Sequence, residues 1–330
     1  MNTSTPLPTF RECCGDHKFI PLAEHDIQNA PPAEIESELA ALAARTGKPP
    51  GDIAVLDFGC GRGQLVGQLR RHGWRAFGIE VGEEFVAAGN ALLSDLYADE
   101  HPILSMVGAD GNAKFPAGFF DIVIADQVFE HVSDLDKVAA DIARLLKPGG
   151  VLLGMFPARF RLVEPHYRLP LVHWLPKGRL QDILVRALVR AGLGVPPPAG
   201  IAPATMAKVV GAYAETEIFY RPNREIAAIF ARRDIGLDFN ALVASRLDTK
   251  LQRMAGPPRT ALLALSRLLP LVRMYSLFQN CMARGVKGPI AASATVRRRW
   301  QNQRRRPQGG RPQFLRSGLC SSRRSFLRMR

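Results

Sequence analysis

The 330-residue chain is 47% hydrophobic and 22% charged, ordinary proportions for a globular protein with room for a sizeable core. Its formal net charge of +14 is concentrated: residues 297–330 hold 12 arginines and no acid, and the rest carries 32 basic against 30 acidic residues. That distribution excludes a nucleic-acid binder whose whole surface is basic. The five cysteines (Cys13, Cys14, Cys60, Cys281, Cys320) form no zinc-spaced set and predict reduced cytosolic thiols and no metal site.

Residues 1–31 are irregular in pattern, and Met1–Phe10 lacks the basic start and apolar run of a signal peptide. From Pro32, Ile35, Leu39, Leu42 and Ala43 recur at helical spacing until Gly47 and Pro49-Pro50. An alternation of short apolar strands and helices follows. Strands are predicted at 53–58, 76–79, 103–107, 120–125 and 151–156, and helices at 64–72, 84–94 and 135–146, the last stopped by Lys147-Pro148-Gly149-Gly150. Such alternation with short loops predicts a parallel sheet covered on both faces.

After Pro157 the rhythm breaks into a stretch rich in Pro and aromatics, with an amphipathic segment at 180–191 and Pro196-Pro197-Pro198. A helix at 223–233 and a strand at 237–243 are predicted next, then a mostly helical apolar region at 258–284 interrupted by Pro270. Within it, Ala261–Asn280 contains Arg267 and Arg273, each costing roughly 2.5–3.5 kcal/mol near a bilayer centre, which disfavours a membrane span. A packed helical layer is the expectation there, with an interfacial helix as the alternative. The Arg-rich end reads as disordered.

The densest chemical signal is Val55-Leu56-Asp57-Phe58-Gly59-Cys60-Gly61-Arg62-Gly63-Gln64, a strand entering a glycine turn that opens a helix. Glycines admit a ligand close to the backbone, and the helix start presents free N–H groups. Gln64 stands where a dinucleotide fingerprint has its third glycine. Asp57 would repel a pyrophosphate and suits a cationic group such as an ammonium. Glu80 ends the second strand 23 positions later, where an acid can take both hydroxyls of a ribose.

These residues resemble the class I S-adenosylmethionine-dependent methyltransferases, in the branch of the ubiquinone- and menaquinone-biosynthesis enzymes. The resemblance covers about residues 50–156 and extends to Gly108-Ala109-Asp110-Gly111, to Phe120–Asp126, to Gln127-Val128-Phe129-Glu130-His131-Val132 and to Leu146–Gly150. It implies an α/β fold: a doubly wound, seven-stranded, mostly parallel sheet of order 3-2-1-4-5-7-6, with helices on both faces. An α-helical insert and a disordered basic tail add to it. The domains expected are an irregular segment (1–31), a cofactor-binding core (32–156), a substrate-wall insert (157–221), a C-terminal part with a helical layer (222–296) and the tail (297–330). The final strand is expected near Val286–Val296, where Gly288 and Pro289 put closure of the sheet edge in question.

The resemblance further implies that Asp57, Gly59 and Gly61 line the methionine end of S-adenosylmethionine, with Cys60 and Gly63 as further cofactor-binding candidates. Glu80 would hold the ribose, Asp110 the adenine, and Gln127 would lie beside the sulfonium; Val81, Gly111 and Asp126 are further cofactor-binding candidates.

For the acceptor, no Asn/Asp-Pro-Pro-Tyr and no Pro-Cys follows the fourth strand, which argues against adenine amines and cytosine C5. In the insert, Val163–Pro170 supplies His166 as a candidate general base with Glu164 to orient it, and His131 is a second candidate. Phe156, Phe160, Tyr167 and Trp174 suit an apolar or sugar acceptor. The expectation is a cytoplasmic enzyme methylating a small molecule, lipid or saccharide, at oxygen, with peripheral contact at the inner face of a membrane. The alternatives are an RNA or protein methyltransferase aided by the tail, and a non-catalytic binding module. Nucleic acid is expected to touch the chain only through the tail.

Overall fold

The computed structural model describes residues 7–14, 21–99, 101–108, 111–242 and 280–288. Its elements are α1 (Phe10–Cys13), α2 (Ala33–Thr46), β1 (Ala54–Phe58), α3 (Gln64–Arg71), β2 (Arg75–Glu80), α4 (Glu83–Leu96), β3 (Leu104–Met106), β4 (Phe120–Asp126), α5 (Leu135–Leu145) and β5 (Leu146–Pro157). After these come α6 (Arg179–Arg190), α7 (Pro203–Thr216), α8 (Asn223–Ala231), β6 (Ile235–Asp238) and β7 (Asn280–Lys287).

The seven strands form one sheet in the order β3-β2-β1-β4-β5-β7-β6. β1 pairs in parallel with β2 and β4, β2 with β3, and β4 with β5. Because β strands alternate their side chains, the central strands feed two separate cores. Leu56, Phe77, Val123 and Leu152 pack with α5 and α8 through Leu135, Ile142, Ile229 and Phe230. Val55, Ala76, Ile122 and Leu153 pack with α2, α3 and α4 through Leu39, Leu69 and Leu93. α2 ends at Gly47, whose φ of 68° is the left-handed conformation that glycine adopts freely.

The sheet edge closes, in a different place from the one expected. β7 is antiparallel to both β5 (Val151 opposite Val286) and β6 (Leu237 opposite Gly285), and it begins at Asn280 rather than near Val286. A Cβ on Gly285 would come within 2.7 Å of Ile235 and Leu237, so the glycine permits the close approach of β6. Residues 280–284 are therefore strand, not the end of a helical region, and β6 is shorter and earlier than the predicted 237–243 strand. Residues 258–279, which hold nearly all of the Ala261–Asn280 stretch, residues 289–296 and the 297–330 tail lie outside the described residues.

Two smaller differences have local causes. α5 stops at Leu145, before Pro148, because Leu146 already pairs with Phe120 ahead of an irregularity in the β4–β5 ladder. The N-terminal segment is less irregular than its pattern: Thr9 caps α1 through a reciprocal bond with Glu12, and Glu24–Ile27 forms a 3₁₀ turn that buries Ile27. α1 joins the insert rather than the sheet. Phe10 stacks on Tyr213 at 4.2 Å and shares a third core with Tyr167, Val185 and Met206.

Candidate active site

The glycine turn sits at the C-terminal edge of β1, where open α/β sheets place ligands. Gly59, Gly61 and Gly63 have φ of 80°, 51° and 83°, so all three adopt the left-handed backbone. Gly59 and Gly63 are held from below: a Cβ on the first would lie 2.6 Å from Val128, and on the second 2.7 Å from Leu104. A Cβ on Gly61 would meet nothing within 4 Å, so this glycine forms the open floor of a cradle.

Glu80 clamps that turn. One carboxylate oxygen accepts from Gly61 N at 2.9 Å, the other from Val81 N at 2.7 Å and Gly82 N at 3.3 Å. Three N–H donors leave part of the capacity of a carboxylate, which offers about four acceptor positions. Val81 is exposed beside it.

Asp57 is only 5% exposed, and no hydrogen bond to its carboxylate occurs among the described residues. Burial, reinforced by the charges of Asp126 and Glu80, pushes it up to about 8. Two further acids beside this buried carboxyl favour a cationic ligand over an anionic one. The residues thus fit an adenosyl sulfonium and disfavour a pyrophosphate. Cys60 is buried at the turn, and burial raises its thiol well above the usual range, so it is inert packing rather than a nucleophile.

β4 ends beside the turn. Gln127 is held at φ 55°, unusual for a residue with a side chain, and its N–H donates to Met155 O at 2.7 Å. Gln127 and Asp126 line a cleft of about 230 Å³ with Pro32, Glu34, Met155, Asn280 and Met282. Asp110 lies outside the described residues, while Gly111 turns at φ 75° with its N–H on Gly108 O. That loop is braced by α5: Asp141 accepts from Ala113 N, and Arg144 donates to Ala113 O and Phe115 O.

A second constellation joins β4 to the insert. His131 and His166, 35 residues apart, bring their rings to 4.9 Å. A short antiparallel bridge, Val163 to Pro170, folds the segment carrying Glu164 and His166. Glu164 is fully buried and accepts from His166 N (2.7 Å), His166 Nδ1 (2.5 Å), Tyr167 N (2.9 Å) and Tyr220 Oη (2.7 Å). Burial alone would raise this carboxyl, but the bonds from His166, Tyr167 and Tyr220 hold it below its ordinary value. The contact at Nδ1 fixes the orientation of the His166 ring.

Sequence reasoning passed over several members of this group. His131 Nδ1 lies 3.1 Å from the Glu217 carbonyl, and Tyr220 reaches Glu164 from the far end of the insert. Neither partner has a local signal. Glu130 is 2% exposed, and neither carboxylate oxygen has a hydrogen-bond partner among the described residues. Burial, then the charges of Asp126 and Glu164, pushes it up to about 8. Asp126 therefore acts on both Asp57 and Glu130, linking the glycine turn to the histidines.

Residues 56–154 match a methyltransferase domain family. A ubiquinone biosynthesis O-methyltransferase from Chelativorans sp. (strain BNC1) is 32% identical over 194 residues, which cover 53% of this chain and 73% of that protein. Another from Rhodopseudomonas palustris (strain BisB18) is 27% identical over 226 residues, covering 64% and 84%. Among solved structures, phosphoethanolamine N-methyltransferase 2 of Haemonchus contortus in complex with S-adenosyl-L-methionine overlays with a TM-score of 0.41 at 15% identity. The overlay covers 77% of this chain and 52% of that one.

Proposed function

Because the chain belongs to the class I S-adenosylmethionine-dependent methyltransferases, among relatives of the ubiquinone-biosynthesis O-methyltransferases, we propose that it methylates an oxygen of a small-molecule, lipid or saccharide acceptor. When bound, S-adenosylmethionine supplies a methyl carbon on a sulfonium, a group that an oxygen nucleophile can take while the C–S electron pair returns to sulfur. Asp57 would face the methionine end over the Gly59–Gly63 turn, Glu80 the ribose, and Asp126 and Gln127 the sulfonium.

The acceptor side is assigned to Glu130, His131 and His166, which adjoin the donor side through Asp126. Loss of the acceptor's proton is assigned to this cluster, with His166 held in one tautomer by the ionised Glu164. Leu180 and Ile183, 68% and 59% accessible, are exposed one helical turn apart on α6. That apolar face supports a lipidic acceptor met at a membrane surface. Among the described residues no helix is long and apolar enough to cross a membrane.

The observation that carries this reading is the trio of acids around an open glycine cradle. Calorimetry with S-adenosylmethionine and with NAD tests it, followed by a methyl-transfer screen on quinols, fatty acids and sugars. S-adenosylmethionine binding and transfer to a hydroxyl are expected. Uptake of NAD in its place overturns the reading.

A further inference from the structure

We infer that Arg159 and Arg161 bind a phosphate ester carried by the acceptor. The inference deepens the O-methyltransferase reading, by naming the acceptor's class, and rests on it. β5 ends at Pro157, and a turn closed by Arg161 N–H on the Ala158 carbonyl at 3.1 Å carries both arginines into the insert. Arg161 Nη1 donates to Asn280 Oδ1 at 3.2 Å, and Asn280 lines the cleft together with Gln127. Arg159 Nη1 donates to the Tyr220 carbonyl at 3.1 Å, and the Tyr220 hydroxyl in turn reaches Glu164, the partner of His166. One guanidinium is thus anchored beside the cleft and the other beside the His166 group. Both stand close to the His173 ring: burial chiefly lowers that imidazole, and the two guanidinium charges push the same way.

The counter-charge of this pair is missing. Among the described residues every other half-buried arginine has a carboxylate within ion-pair distance, as Arg62 has Asp26, Arg144 has Asp141 and Arg284 has Glu38. Arg159 and Arg161 have none among those residues, and the bond each Nη1 makes goes to an uncharged oxygen. Glu164 does not fill the role. Its bonds from His166, Tyr167 and Tyr220 take up the about four acceptor positions of a carboxylate. Charges withdrawn from water are ordinarily paired, so the two guanidiniums call for an anion from outside the chain.

The planar fork of a guanidinium matches two oxygens of a phosphate at once, which favours a phosphate ester as that anion. The same turn also offers an apolar surface for the rest of the acceptor. Phe160 and Trp174 are exposed and meet edge to face at 6.0 Å, and Trp174 Nε1–H donates to the Arg161 carbonyl at 3.0 Å.

That last bond makes Trp174 a reporter. Full-length protein carrying Trp300→Phe, which silences the basic end, is titrated with inorganic phosphate while tryptophan emission is followed; Trp74 is buried in the sheet core. A saturable change is expected. Arg159→Gln and Arg161→Gln should each weaken it at least about tenfold. Arg161→Lys, which keeps the charge without the fork, should weaken it less. Arg190→Gln, at the exposed end of α6, should leave it unchanged. Glucose 1-phosphate and phosphatidate in mixed micelles then compete with phosphate. Displacement by either supports the site and separates a sugar ester from a lipid one, and displacement by neither overturns it. Benzoate binding as tightly as phosphate overturns the choice of a phosphate over a carboxylate. Absence of a saturable change, or the same change in both glutamine variants, overturns the inference. Retained S-adenosylmethionine binding in calorimetry shows that a variant is folded, and Arg159→Lys replaces a glutamine variant that is not. If S-adenosylmethionine binds while phosphate has no effect, the phosphate site falls alone. If the wild type fails to bind S-adenosylmethionine, the methyltransferase reading falls instead.

Discussion

On the proposed assignment, Asp57 should couple donor binding to pH. In the free pocket burial holds its carboxyl up at about 8, whereas a cationic ligand favours the ionised form. Binding below pH 8 should therefore release a proton, and affinity should rise with pH, at most about tenfold per unit, before levelling above 8. Calorimetry in buffers of different ionisation enthalpy checks this, and a flat profile without proton release refutes it. Folding has the opposite sign. A carboxyl raised in the native state favours folding fully only below its unfolded value near 3.8, and that contribution is lost as pH rises towards about 8. Asp57→Asn should abolish tight donor binding yet raise the melting temperature increasingly from pH 5 to pH 8. At this scale Asp57, the glycines and Glu80 were legible because a strand, a turn and the next strand place them in fixed order. That Asp57 has no hydrogen-bond partner among the described residues, and that Glu80 clamps Gly61 N, were not, since both depend on how two strand ends meet.

Helix α4 presses directly on the glycine turn. A Cβ on Gly89 would lie 2.3 Å from a Leu104 methyl and 2.4 Å from the Arg62 carbonyl oxygen, and the backbone cannot yield as a side chain can. Gly89→Ala should cost about 1–3 kcal/mol in chemical denaturation and weaken the donor by tilting the turn. Gly61→Ala makes the contrasting case. Its Cβ meets no atom, so the change should cost only the strain of φ 51°, about 1–2 kcal/mol, while filling the cradle floor and reducing donor affinity more than stability. If Gly61→Ala binds donor as the wild type does, the cradle assignment is wrong. Most helices and parallel strands could be read from period and punctuation. β7 could not, because Cys281, Met282 and Ala283 are buried on both faces and show no alternation.

Across the molecule, the sheet keeps its two cores while the insert and α1 bury a third of their own. The residues proposed to hold the donor come from the sheet, and those around His166 come from both. The strand order was legible through the motifs it carries. The cluster proposed for the acceptor was only half legible, since Glu164 and His166 are neighbours in sequence but His131, held by the Glu217 carbonyl, and Tyr220 reach them through folding. The basic end makes a separate prediction. Removing residues 297–330 should leave donor binding and turnover of a soluble acceptor unchanged, while removing salt-sensitive retention on anionic vesicles in co-sedimentation. Loss of turnover on a soluble acceptor would place the tail in the reaction.

On the proposed donor assignment, the crowding of Asp57, Glu80 and Asp126 should also distinguish fresh from spent donor. Each turnover replaces a sulfonium with a neutral thioether, so one positive centre leaves a volume whose acids were balanced against it. Asp57 then recovers its proton, and the walls that captured the donor hold its demethylated remnant less firmly. On the proposed assignment the spent donor is expected to bind more weakly than the fresh one, and equal affinities by calorimetry would refute it.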